Sequence, residues 1–356
     1  MASRPFDGGV PTGLAASPAP IRRPGFVRTG LLAAAVAAER VALWVPGALA
    51  AISFLGWVPF VLAIVTLPSV GDLGFFGSSL GISPNYPWNV ALLALAVGMA
   101  IVAASIVIAG AEASLQREIE SVAAVDGSQR SLDDEIARLW AVQVVAAVPA
   151  LVVTAVTLLV VASVAQGEYQ SPDIGGPFAV RVARDVWPLL VALLACVLAG
   201  QAFGASAQRA VRGRAARTLP GALAFGLHEL LRRPLRIAGL TLLTDLALVA
   251  WLGISWALLH VLWAPIGRAV GRGALLESGT ALLLVGFVAI WLCLVAAGGA
   301  LHAWSSLWWS LEIGRDAVGE GGGWRPRMDL PFDPTLTASA QIERDPARDR
   351  ASEEHP

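Results

Sequence analysis

The sequence predicts an all-α polytopic membrane protein, a bundle of six transmembrane helices, and three observations carry that prediction. Six apolar stretches are each long enough to cross a bilayer. The basic residues, all of them arginine, fall almost entirely on alternate connections between those stretches. Composition agrees: 56% hydrophobic and 14% charged residues, with a mean hydropathy of +0.68, leave too little polar surface to wrap a soluble globule of 356 residues.

The expected spans run from Val41 to Leu67, Trp88 to Gly110, Ala141 to Ala165, Trp187 to Ser206, Ile237 to Trp263 and Thr280 to Ala303. A helix rises about 1.5 Å per residue and the hydrocarbon core is roughly 30 Å thick, so about 20 apolar residues suffice for a crossing. Lipid offers no partner for backbone N–H and C=O groups, and a helix satisfies them within itself. The long uninterrupted runs lack the alternation of a barrel strand.

Arginine sets the expected orientation. Arg22, Arg23, Arg28 and Arg40 precede the first span; Arg117, Arg130 and Arg138 follow the second; Arg209, Arg212, Arg214, Arg217, Arg232, Arg233 and Arg236 separate the fourth from the fifth; Arg315 follows the sixth. The other three connections hold only Arg181, Arg184, Arg268 and Arg272. The positive-inside rule then places both termini in the cytoplasm, an outcome that requires an even number of crossings. Trp57, Trp88, Trp140, Trp187, Trp263, Trp308 and Trp309 lie near the expected ends, where an amphipathic ring can rest among headgroups.

Residues 1–24, rich in Pro, Gly, Ala and Ser, read as a disordered cytoplasmic tail without a signal-peptide pattern. Residues 25–312 form the six-helix domain with interfacial helices, and the polar residues 313–356 form a second disordered cytoplasmic tail. Cys196 and Cys293 fall inside spans, as small packing residues rather than a disulfide or metal pair. The lysine-free, alanine-rich composition fits a GC-rich bacterial genome, and so a bacterial inner-membrane location.

A weak internal repeat organises the spans. The second leaves through Ala113-Ser114-Leu115-Gln116-Arg117 and the fourth through Ala205-Ser206-Ala207-Gln208-Arg209, with a fainter echo at Ser305-Ser306-Leu307. Each odd-numbered span follows an acid with an arginine close behind: Glu39 with Arg40, Glu135 with Arg138, Glu229 with Arg232 and Arg233. The chain reads as three copies of a short interfacial helix, a turn into the bilayer and a transmembrane hairpin.

The segment Leu219 to Leu240, LPGALAFGLHELLRRPLRIAGL, has an interfacial helix that ends in an Arg-Arg-Pro corner and enters a hairpin. In this it resembles the six-helix membrane domain that some bacteria fuse to glycerophosphodiester phosphodiesterases and others make alone. This chain has no room for the phosphodiesterase barrel. The resemblance therefore implies an architecture and a membrane location, not a hydrolase.

Asp245 is the best candidate for an intramembrane polar site, nine residues beyond Arg236 and so about 13 Å deeper along the helix. Thr241, one turn back on the same face, is in reach to hydrogen-bond it. Facing inward, Asp245 could bind a cation or carry a proton; protonated or paired with an arginine, it would lock helices together. Glu112 and Glu312, at span ends, are expected to be solvated or ion-paired, and His260 and His302 to be satisfied at opposite ends rather than to share a metal. Arg232, Arg233 and Arg236 are candidate contacts for anionic lipid headgroups. Gly200 and Gly204 form a GxxxG ridge suited to internal helix packing.

Gly77 to Gly81 fits a GxSxG nucleophile pattern but lies in a Gly- and Ser-rich loop rather than a strand-to-helix turn, which argues against catalysis. The absence of lysine removes Walker A and Schiff-base chemistry, and no HExxH or paired CxxC offers zinc ligands. No cofactor is implied, and no basic domain with interleaved aromatics suggests nucleic acid. The bilayer is the expected partner. The leading reading is a non-enzymatic scaffold or accessory component of the cell envelope. A transporter or permease subunit using Asp245 is the alternative, and a lipid-modifying enzyme the third. A polar cavity reaching Asp245 would favour transport; a dry interior packed with Leu and Ala would favour a scaffold.

Overall fold

The computed structural model describes residues 25–65, 84–123, 131–170, 178–212, 218–272 and 278–318. Both expected tails, residues 1–24 and nearly all of 313–356, lie outside these segments, as does the Gly77 to Gly81 pattern. Every described element is helical. The order is α1 (Phe26–Glu39), α2 (Trp44–Ala51), α3 (Val58–Ile64), α4 (Trp88–Ala123), α5 (Leu132–Gln170), α6 (Phe178–Arg212), α7 (Leu219–Arg232), α8 (Pro234–Gly271) and α9 (Ser278–Val318).

Five of these, α4, α5, α6, α8 and α9, are long and apolar enough to cross a membrane. The chain is an integral, multi-pass helical membrane protein. The first expected span is built differently. Residues Val41–Leu43 form a 3-10 turn, α2 follows, Ile52–Gly56 take a π-helical register, and α3 resumes after Trp57. Pro59 sits in the first turn of α3, where its missing N–H leaves no helix bond unmade.

The long helices outrun the expected spans. α4 continues 13 residues past Gly110, to Ala123, and α5 has 39 residues, about 58 Å of helix against roughly 30 Å of hydrocarbon. Hydropathy marks only the part matched to lipid. The polar extensions stay helical because their charges meet partners on neighbouring helices, as Arg117 of α4 meets Glu135 of α5 at 2.9 Å.

Local signals set the helix ends. Ser131 Oγ accepts from Asp134 N at 3.3 Å at the start of α5, where Asp133, Asp134 and Glu135 face the positive end of the helix dipole. Thr218 caps α7 by accepting from Gly221 N at 3.3 Å. α1 and α7 are both 14 residues long, and both end on an arginine in a non-helical conformation, Arg40 and Arg233. After Arg40 the chain turns by 93° into α2, and the Trp44 indole pins the corner by donating to Ala37 O at 2.7 Å. The expected short helix therefore precedes the first and third hairpins. In the second unit it is absent as a separate element, because α5 runs unbroken through Glu135 and Arg138 into its span.

Burial is concentrated toward the arginine-rich ends of the helices. One cluster joins Ala33 of α1, Leu115 of α4, Leu240 of α8 and Leu307, Trp308 and Trp309 of α9. A second joins Ala113 of α4, Leu139 of α5, Ala207 of α6 and Ala222 of α7. A third, toward the opposite end, sets Ala63 of α3 against Leu259 of α8 and Phe287 of α9. Elsewhere Leu92, Leu151, Leu194, Val249 and Leu282 point outward, the surface a bilayer covers.

Trp57, Trp88 and Trp187 are exposed, as interfacial rings require, but Trp308 and Trp309 belong to the core. Gly200 and Gly204 bring α6 against α5: a Cβ on Gly200 would stand 2.6 Å from Ala146 O, and one on Gly204 would stand 3.1 Å from Ala146 Cβ. A second close crossing, of α2 on α9, was not expected. There a Cβ on Gly299 would stand 2.5 Å from Trp44 O.

Candidate functional site: a cavity beside Asp245

Helical spacing puts Thr241, Thr244 and Asp245 of α8 on one face, at i, i+3 and i+4, and that face lines a cavity of about 250 Å³. Ala50, Ala51, Phe54 and Leu55 of the interrupted first helical stretch also line it. Thr241 does not bond Asp245. Its hydroxyl donates to Ile237 O at 3.0 Å, and Thr244 donates to Leu240 O at 2.9 Å and Thr241 O at 3.0 Å. A threonine in an apolar helix has its own i−4 carbonyl closer than any side chain.

The partner of Asp245 is Gln201 of α6. With its amide nitrogen turned to the carboxylate, Gln201 donates to Oδ2 at 2.6 Å and to Oδ1 at 3.1 Å. Among the described residues no arginine pairs with Asp245. The arginine-locked arrangement considered from sequence is therefore not the one found.

Gln201, Gln143, Gln208, Glu112 and His302 also line an adjoining chamber of about 450 Å³, which reaches Arg209 and Ser306. At this end three helices meet in a buried network. Arg209 of α6 pairs with Glu112 of α4 at 3.0 Å and donates to Ser306 Oγ of α9 at 2.7 Å. Ser306 Oγ donates in turn to Glu112 Oε1 at 2.9 Å, and Gln116 Nε2 donates to the same oxygen at 2.9 Å. His302 Nε2 stands 3.3 Å from Glu112 Oε2. Five polar side chains thus neutralise and bind one another where lipid could not solvate them.

Glu112 and Glu312 are both ion-paired, one of the two outcomes expected. His302 differs from expectation, because it stands in the cavity wall rather than at an interface. His260 is exposed, its ring 5.8 Å from that of Trp256. Among the described residues no cluster of three or more His, Cys, Asp and Glu is placed to hold a metal ion.

The arginines around the corner from α7 to α8 divide by environment. Arg233 and Arg232 bracket the buried carboxylate of Glu229 at 3.7 and 3.8 Å. Arg236 pairs with Glu312 of α9, its guanidinium 6.0 Å from the centre of the Phe26 ring. Arg232 keeps the most exposed side chain of the three, at 54%. Only the Glu112–Gln116 contact of this network has a local spacing, Glu112 standing one turn before Gln116 just as the apolar run ends. Its partners on α6 and α9 have no sequence proximity to it. No protein-family model, curated protein or solved structure matches the chain.

Proposed function

We propose that the protein is a transporter or permease component that carries a small polar or cationic solute through the cavity beside Asp245. The supporting observation is an acid without an arginine partner among the described residues, in the wall of a largely apolar cavity that also carries Gln143, Gln201, Gln208, Thr241 and Thr244. A carboxylate there is costly, on the order of 2.5 to 3.5 kcal/mol on insertion scales, unless a proton or cation compensates it. A scaffold needs neither a cavity nor an acid held in its wall by a neutral glutamine. That contrast moves the balance away from the scaffold reading favoured by sequence alone.

Within this proposal the protein resides in a bacterial inner membrane with both termini cytoplasmic. The likeness of α7 and its Arg-Arg-Pro corner to the phosphodiesterase-linked membrane domain speaks for a shared architecture. Purified protein in liposomes tests the transport reading. Asp245→Asn is expected to preserve folding and to abolish proton- or cation-coupled flux; equal flux from the Asn variant would remove Asp245 from the mechanism.

A further inference from the structure

The oxygen-bearing side chains in the chamber lining suit one ligand class. Thr241 and Thr244, both in the cavity lining, have already given their hydroxyl protons to carbonyls of their own helix, which leaves each Oγ1 with acceptor capacity only. Asp245, one residue beyond Thr244, adds a carboxylate on the same face. Gln201 stands within hydrogen-bond distance of that carboxylate, and rotating its amide exchanges a donor for a further oxygen ligand. Carboxylate, hydroxyl and amide oxygens are hard ligands suited to an alkali or alkaline-earth ion.

Charge selects between these. Glu112 is balanced by Arg209 and also touches His302, so Asp245 is the acid of the lining without an arginine partner among the described residues, and when ionised it contributes one negative charge. A monovalent cation cancels it, whereas a divalent one would leave a net positive charge in a low-dielectric interior. Phe54 and Leu55 of the π-helical stretch Ile52–Gly56 also line the chamber, and such distortions gather at functional sites. Interrupted helices also flank ion sites in transport proteins.

We propose that Thr241, Thr244 and Asp245, with Gln201, bind a monovalent alkali cation, which serves as the coupling ion of the transport reading on which this inference rests. The test uses the purified full chain in lipid–detergent micelles at fixed pH and ionic strength, in sodium, potassium or choline chloride. Sodium or potassium raises the thermal-unfolding midpoint saturably relative to choline. Thr244→Val raises the half-saturating concentration by about tenfold or more, Asp245→Asn abolishes the response, and Thr244→Ser, which keeps the oxygen, retains it.

Identical midpoints in all three salts overturn the proposal. So does a response that survives Thr244→Val or, should that variant not fold, one that Thr244→Ser loses while Asp245→Asn keeps it. A midpoint that follows pH but not salt assigns the site to a proton and likewise overturns it. Liposome flux separates the two readings: salt-indifferent flux that Asp245→Asn abolishes refutes the cation site and leaves transport standing. Salt-specific binding without flux supports the site and refutes transport.

Discussion

Arg209 Nη2 lies 3.0 Å from Glu112 Oε1, and neither side chain is more than 7% exposed. Ser306 stands against both, so the pair ties α4, α6 and α9 together beside the chamber. Replacing Arg209 by Ala leaves the Glu112 carboxylate buried without its counter-charge. The expected cost is about 3–5 kcal/mol, read as a lower unfolding midpoint in micelles. Adding Glu112→Gln to Arg209→Met recovers most of that loss, because neither charge then remains stranded. An Arg209→Ala protein as stable as the parent would show that the pair does not hold the bundle.

Helix crossings offer a second test. Gly299 and Gly200 lie against the backbone of a neighbouring helix, which cannot swing aside as a side chain can. Gly299→Ala and Gly200→Ala are each expected to destabilise by about 1–3 kcal/mol through overpacking. Gly253 has nothing within 4 Å of an added Cβ, and Gly253→Ala is expected to be neutral or to gain up to about 1 kcal/mol of helix preference. Equal effects at the three positions would mean that the crossings are looser than described.

What could be read beforehand follows from the range of each interaction. The apolar runs and the Gly200–Gly204 ridge depend on residues within a turn or two, so spacing alone exposes them. The break in the first span was also written locally, in Gly56-Trp57-Val58-Pro59, but hydropathy averages over such a feature. The Glu112, Arg209, His302 and Ser306 network was not legible, because three helices contribute and only their packing brings the side chains together. For Thr241 the spacing suggested the wrong partner. Sharing a face with Asp245 allows contact, yet a hydroxyl beside its own i−4 carbonyl binds there first.

The arginines after α7 separate lipid contact from packing. Arg236→Gln removes the partner of the buried Glu312 carboxylate and is expected to lower the unfolding midpoint in any lipid. Arg232→Gln leaves Glu229 with Arg233 and should barely change stability. If Arg232 contacts headgroups, its loss weakens binding to anionic phospholipid in co-purification or native mass spectrometry, and Arg236→Gln has the smaller effect per folded molecule. The opposite ranking would place the lipid contact at the Glu312 pair.

Membrane sidedness completes the set. Tyr86 precedes α4 and Ser131 follows it, and the 36 residues of that helix span about 54 Å, more than the roughly 45 Å of a bilayer with its headgroups. Single cysteines at these two positions, with Cys196 and Cys293 changed to alanine, should therefore react with impermeant reagent from opposite sides. The arginine distribution further predicts that Tyr86→Cys labels in intact cells, while Ser131→Cys labels only after the membrane is opened. Labelling of both from outside would refute α4 as a crossing helix. A reversed pattern would keep the crossing but turn the protein over, and would put Arg117, Arg138 and Arg232 on the face where the positive-inside rule forbids their accumulation.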